Sequence, residues 1–240
     1  MRKVYLWMWV LCWVSVRVYG VLAGGRPNAV SGGQNGFAGV VNPANGVWVE
    51  SRLDIGGFVV HQTSFLRNKD NNPTFPLGSM DETYRAKWLS TMDLALHKRC
   101  RFWGMDCSLS GAFYTTPGYT KLRTKAPLSI LGYTPIVLEN KTEVCSAIFS
   151  GKVQPNRSLG VSIDYFVLSH RRNGFQNSDN ALFSVSPGNV TNRGKDRSHG
   201  LGWSLGWRWK AHPKLAFGLV FSKKNYVGQY RKYRGYEPDH

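Results

Sequence analysis

Along residues 158–169, apolar and polar positions alternate with a period of two. One side carries Leu159, Val161, Ile163, Tyr165 and Val167; the other carries Ser158, Gly160, Ser162, Asp164 and Phe166. The same alternation runs through 200–210. There Leu201, Trp203, Leu205, Trp207 and Trp209 share one side, and Gly200, Gly202, Ser204, Gly206, Arg208 and Lys210 the other. It recurs through 215–222, with Leu215, Phe217, Leu219 and Phe221 against Ala216, Gly218, Val220 and Ser222. A period of two marks strands whose two faces meet different surroundings. Weaker alternation marks 52–61, 87–97, 103–114 and 142–151. The pattern predicts about seven strands and no long amphipathic helix.

The connections alternate too. Long segments (62–86, 115–141, 170–199) take turns with short ones (98–102, 152–157, 211–214). Long loops on one side and short turns on the other are the habit of outer-membrane barrels. Spanning strands of about 9–11 residues suit that reading. The polar side of each clear strand is mostly Gly and Ser, as a filled interior requires, and the apolar side has no charge at its centre. The expected fold is therefore all-β: an antiparallel transmembrane β-barrel, partial at about seven strands. Leu201, Trp203, Leu205, Trp207 and Trp209 are expected to face lipid.

The N-terminus adds an exported context. Arg2 and Lys3 precede an apolar run from Val4 to Val16, with small residues at Gly20 and Ala23. This predicts a signal peptide over 1–20, too short to span a bilayer. Residues 21–51, rich in Gly, Asn and Ala, predict an irregular segment, and 52–240 the barrel wall. Formal net charge is +17. Much of the excess lies in two stretches, the loop with Arg171, Arg172, Arg193, Lys195 and Arg197 and the run 223–236. In a membrane reading these cations would meet lipopolysaccharide phosphates, with Tyr226, Tyr230 and Tyr233 as an aromatic girdle. A cation–aromatic run also suits single-stranded nucleic acid, but an exported chain argues against that partner. Outside the leader, Cys100, Cys107 and Cys145 remain. A Cys100–Cys107 disulfide and three thiols both stay open. No metal-ligand spacing or cofactor motif is present.

Two stretches imitate catalytic signatures. Gly202-Trp-Ser-Leu-Gly206 spells G-x-S-x-G, the nucleophile elbow of α/β-hydrolases. An elbow needs a sharp strand-to-helix turn, whereas alternation here passes unbroken through Ser204. Asp196-Arg-Ser-His199 holds the residue types of a hydrolase triad, but neighbours along a strand point to opposite faces. Neither predicts an enzyme. Sequons at Asn140, Asn156 and Asn189 are short enough to arise by chance.

The stretches GQNGFAGVVNPANGVWVESRLDIGG (33–57), SLGVSIDYFVLSHRRNGFQNSDN and SPGNVTNRGKDRSHGLGWSLGWRWKAHPKLAFGLVFSKK resemble the long-chain fatty-acid transporter family of outer-membrane β-barrels, a group of hydrocarbon-uptake porins. The resemblance implies a barrel of fourteen strands with its N-terminal segment folded inside as a hatch. Asn42, Pro43 and Ala44 would belong to that hatch. It implies passive transport of long-chain fatty acids or aromatic hydrocarbons at the outer membrane, with hydrophobic cargo, lipid and lipopolysaccharide as partners. Seven strands would be the N-terminal half, completed by a C-terminal barrel fragment. A general porin, and a secreted Trp-rich β-sandwich that binds carbohydrate, are the alternative readings.

Overall fold

The computed structural model describes residues 15–16, 35–56, 59–67, 81–116, 119–127, 131–223 and 226–234. The elements are β1 (Ser15–Val16), α1 (Ala38–Val41), a 3₁₀ helix (Pro43–Trp48), β2 (Arg52–Gly56), β3 (Val59–Arg67), β4 (Asp81–Ser90), β5 (Asp93–Phe102), β6 (Met105–Thr115), β7 (Thr120–Pro127), β8 (Pro135–Gln154), β9 (Arg157–Asn173), a 3₁₀ turn (Gln176–Ser178), β10 (Asp196–His212), β11 (Leu215–Ser222) and β12 (Tyr226–Val227). The main sheet runs β1-β11-β10-β9-β8-β6-β5-β2, with β7 also on β8 and β12 on β10. β3 and β4 form a separate antiparallel pair. Every pairing in the main sheet is antiparallel.

Register turns the sequence alternation into rows across the sheet. One row reads Leu53, Leu96, Gly111, Ala147, Ile163, Trp203. The next reads Ile55, Leu94, Phe113, Cys145, Tyr165, Leu201. These rows lie on one face, called here the bare face. On the opposite face, the covered face, the rows read Arg52, His97, Ser110, Ile148, Ser162, Ser204, Ser222 and Arg99, Ser108, Ser150, Gly160, Gly206, Val220.

The segment 35–49 lies on the covered face and supplies much of the core. Ala44, Asn42, Asn45 and Val47 are each 0% exposed. Asn42 is the N-cap of the 3₁₀ helix: its backbone is extended and its Oδ1 accepts the Ala44 N–H at 3.0 Å. Pro43 follows at the first helical position, where a missing N–H costs nothing. Asn-Pro-Ala is thus a capped helix start.

The expected barrel is corrected by this topology. Among the described residues the sheet is open: β2 pairs only β5, and no pairing joins β2 to β11 or β1. An open edge strands unpaired N–H and C=O groups, and these cannot lie in hydrocarbon. No described helix is long and apolar enough to cross a membrane, which by itself leaves strands unaddressed. Without a closed wall the readings built on it fall: transmembrane barrel and porin, outer-membrane location, transport of fatty acids or hydrocarbons, lipid, lipopolysaccharide and hydrophobic cargo as partners, and a completing C-terminal barrel fragment. Among the described residues, the segment packed on the covered face is a short helical one.

Strand bounds also differ from expectation. β3 and β4 occupy parts of the expected loop 62–86, and β7 with the first half of β8 occupies 115–141. The 170–199 loop begins only after β9 ends at Asn173. The expected turn at 98–102 is strand, and the hairpin turns instead at Trp103–Gly104, both at positive φ. The predicted leader, save Ser15–Val16 beside β11, lies outside the described residues.

Gly160 and Gly206 sit directly beneath the segment. A Cβ at either would come closer than 3.0 Å to Pro43 or Asn42 atoms. Gly160→Val and Gly206→Val are expected to destabilise the fold by about 1–3 kcal/mol through overpacking. Urea unfolding measures this, and limited proteolysis should then cut within 35–50 far faster than in the parent protein.

Candidate functional site

Hydrogen bonds hold the segment to the covered face. Asn42 Nδ2 donates to the Trp207 carbonyl at 3.1 Å. Trp48 Nε1 donates to Ser158 Oγ at 2.7 Å, and Ser158 Oγ donates in turn to the Ala44 carbonyl at 2.7 Å. Asn45 Nδ2 donates to the Ala38 carbonyl at 3.3 Å, and its Oδ1 accepts from Arg208 Nη1 at 3.4 Å. Ser108 and Ser150 share a hydrogen bond of 2.7 Å beneath Gly46, whose missing side chain makes the approach possible. Arg208 and Lys152 stand 5.2 and 4.9 Å from the centre of the Trp48 ring. Lys152 also pairs with Asp106 at 3.2 Å. Burial pulls the Arg208 guanidinium below its ordinary pKa.

His97 shows how sequence chemistry becomes geometry here. Its Nε2 lies 3.0 Å from the Val49 carbonyl and its Nδ1 lies 2.6 Å from Ser110 Oγ. A carbonyl only accepts, so Nε2 carries the proton, while the Ser110 hydroxyl can donate to Nδ1 or accept from it. Burial holds the His97 pKa below 6.5, and Arg99 and Arg52 push the same way.

A second polar group lies further along the covered face. Ser146 and Ser162 donate to the Asp164 carboxylate at 2.5 and 3.3 Å. Burial nevertheless raises the Asp164 pKa. Burial also pushes Tyr114 up to about 12. No cluster of three His, Cys, Asp or Glu able to hold a metal exists among the described residues.

The catalytic look-alikes come apart. Ser204 lies mid-strand in β10 and accepts from Ser222 Oγ at 3.1 Å. Asp196 is buried, with Oδ1 accepting from the Arg197 N–H at 2.9 Å and Oδ2 from the Lys232 N–H at 2.6 Å. Ser198 donates to the Gly228 carbonyl, while His199 on the other face meets the Tyr165 hydroxyl at 2.7 Å.

The remaining predicted residues fall on two surfaces. Leu201, Trp203, Leu205, Trp207 and Trp209 share the bare face of β10, with Leu201 61% and Leu205 48% exposed. Trp203 packs on Phe221 and Trp209 on Phe217. Arg171, Arg193, Lys195 and Arg197 are exposed; Arg172 is half-buried and lies 4.0 Å over the Phe175 ring. The girdle expectation is corrected at Tyr233. This residue is fully buried, accepts from the Arg172 N–H and donates toward the Arg172 and Gly194 carbonyls. Cys100 and Cys107 stand opposite one another on β5 and β6, and with Cys145 they are free thiols. A hydrogen bond with Cys100 that favours the neutral thiol, together with burial, pushes the Cys107 thiol up to about 11.

What the sequence reading missed is a cavity of about 500 Å³ lined by Lys121, Arg123, Val137, Glu139, Arg171 and Asn173, and walled by Thr134, Pro135 and Asn192. Register alone assembles it, through the rows Lys121–Glu139–Arg171 and Arg123–Val137–Asn173.

Because burial lowers the His97 pKa in the fold, the unfolded chain takes up its proton at higher pH than the folded chain does. The contribution of His97 to stability is thus complete above the ordinary value of 6.5 and is lost as pH falls toward the lowered folded pKa. Urea unfolding between pH 7.5 and 5.5 should show stability dropping with acid. His97→Gln should flatten that slope; an unchanged slope would show that His97 is not its source.

No family model matches the chain, and no curated protein or solved structure resembles it significantly. The family resemblance read from the motifs therefore has no support in these comparisons.

Proposed function

We propose that the protein is a non-catalytic docking module whose bare face seats an acidic protein partner with an apolar patch of its own. The single observation that supports this reading is the bare face. Its central rows carry Leu96, Ile163 and Leu205 at 60%, 60% and 48% exposure, with no charged residue between them. Water-exposed apolar patches of such breadth mark interaction surfaces.

Charge selects the partner. Lys98 and Arg157 lie toward one end of the face and Arg171 and Arg197 toward the other, all exposed. An apolar centre with a charged rim is the anatomy of a protein interface. Basic rims steer acidic partners. A second copy of this chain fits poorly, because each carries a formal charge of +17. A bilayer fits poorly as well, because the β2 edge keeps backbone groups that hydrocarbon cannot satisfy.

A photo-crosslinking residue at position 163 should trap one acidic protein in cells of the source organism, whereas the same residue at the Asn156 turn should not. Leu205→Lys should weaken the interaction by about 2 kcal/mol, roughly thirtyfold, as for a central interface residue. Adducts with lipid alone, flotation of the protein with vesicles, or equal yields from both positions would sink the reading.

A further inference from the structure

We propose that the cleft formed by β7, β8 and β9 binds a small, hydroxyl-bearing dianion of the phosphomonoester type. Three cations, Lys121, Arg123 and Arg171, line a volume of about 500 Å³ with one carboxylate, Glu139. The lining therefore has an excess of two positive charges. Lys121 and Glu139 stand 3.8 Å apart, a loose pairing, with the Lys121 side chain 41% exposed. Neither Arg123 nor Arg171 has a carboxylate partner among the described residues. Two guanidinium groups without partners are suited to bidentate binding of a phosphoryl group. A phosphomonoester carries about −1.5 to −2 at neutral pH, which matches that excess.

The hydroxyl requirement comes from Asn173. Its Oδ1 is buried and accepts no hydrogen bond, and Asn173 lines the same cleft. A buried acceptor left unpaired costs about 1–3 kcal/mol. A ligand O–H placed there removes that cost, and an anion with no proton to give at neutral pH, such as sulfate, does not. The cleft is of the size that holds small ligands, about 300–1,000 Å³. Its walls are built, not accidental. Asn192 adopts φ 60°, its N–H donates to the Arg172 carbonyl at 2.9 Å, and its Oδ1 accepts from the Gly174 N–H at 3.3 Å. Thr134 is held by the Gln176 amide at 2.5 Å. Charge thus supplies attraction, and the Asn173 oxygen supplies discrimination between a sugar phosphate and a proton-free dianion such as sulfate.

Isothermal titration of the full chain at neutral pH with glucose 6-phosphate, sulfate and glucose tests this. Glucose 6-phosphate should bind saturably and more tightly than sulfate, and glucose should not bind measurably. Arg123→Gln and Arg171→Gln should each weaken glucose 6-phosphate about tenfold or more. Asn173→Ala should weaken glucose 6-phosphate while leaving sulfate unchanged. Far-ultraviolet circular dichroism selects the variants that keep the fold. The proposal is overturned if the parent protein binds neither anion saturably, if the Arg123→Gln/Arg171→Gln double variant binds as the parent does, or if Asn173→Ala weakens both anions equally.

Discussion

Gly160 and Gly206 are cross-strand neighbours on β9 and β10, and the backbone of Pro43 and Ala44, with the Asn42 side chain, rests on them. Most of the structure follows from this contact. Two side chains of any size at those positions would lift the segment off the sheet. Without the segment, the covered face would be a floor of Ser, Gly and His with nothing to satisfy it. With it, Ser158 relays between Trp48 and the Ala44 carbonyl, and His97 holds Val49. Small residues on the floor and polar caps on the segment are thus one device. Close backbone approach brings the hydrogen-bonding groups within reach, and the hydrogen bonds fix the approach.

That device also divides the sheet's faces by function. The covered face spends its side chains on the segment and keeps His97, Arg208 and Asp164 away from bulk water at a cost to their charged forms. The bare face makes no such contacts. Its Leu, Ile, Phe and Trp side chains satisfy one another along cross-strand rows and still leave broad surface open. The polar half of the alternation therefore contributes internal order, and the apolar half stays largely open to solvent.

The sequence made those two faces legible at Leu159–Val167 and Leu201–Trp209, where alternation is unbroken and the spans lie inside β9 and β10. It misled about closure. Alternation records that a strand has two unlike faces, and both an open sheet with one packed face and a barrel wall produce it. Whether β2 meets β11 is a question of pairing, which no local pattern carries. The strands missed were those whose residues obscure the period. Thr120–Pro127 interleaves Lys121, Arg123 and Lys125 with Leu and Ala, and Asp81–Ser90 opens on two carboxylates. Tyr233 was misplaced because a tyrosine among lysines and arginines reads as surface, whereas its hydroxyl finds two carbonyls only after the chain folds back over β9. Asn42-Pro43-Ala44 read as a family mark, yet capping chemistry accounts for it fully: an N-cap Asn, a first-turn Pro and a small residue that fits at 0% exposure.

The cleft was illegible for a related reason. Lys121, Arg123, Glu139, Arg171 and Asn173 lie up to about fifty positions apart, and the i, i+2 step shared by Lys121–Arg123 and Arg171–Asn173 is that of any strand. What unites them is that β8 is long enough to hold β6 against one half of a single edge and β7 against the other. The β7 half lies beyond the apolar rows and beyond the reach of segment 35–49. Side chains there need neither pack on the segment nor present an apolar surface, so charge accumulates at little structural cost. Arg171 sits where those regimes meet, on the rim of the bare face and in the wall of the cleft. A partner held by that rim and an anion held in the cleft would compete for the same guanidinium, so occupancy of one surface opposes occupancy of the other through a single shared charge.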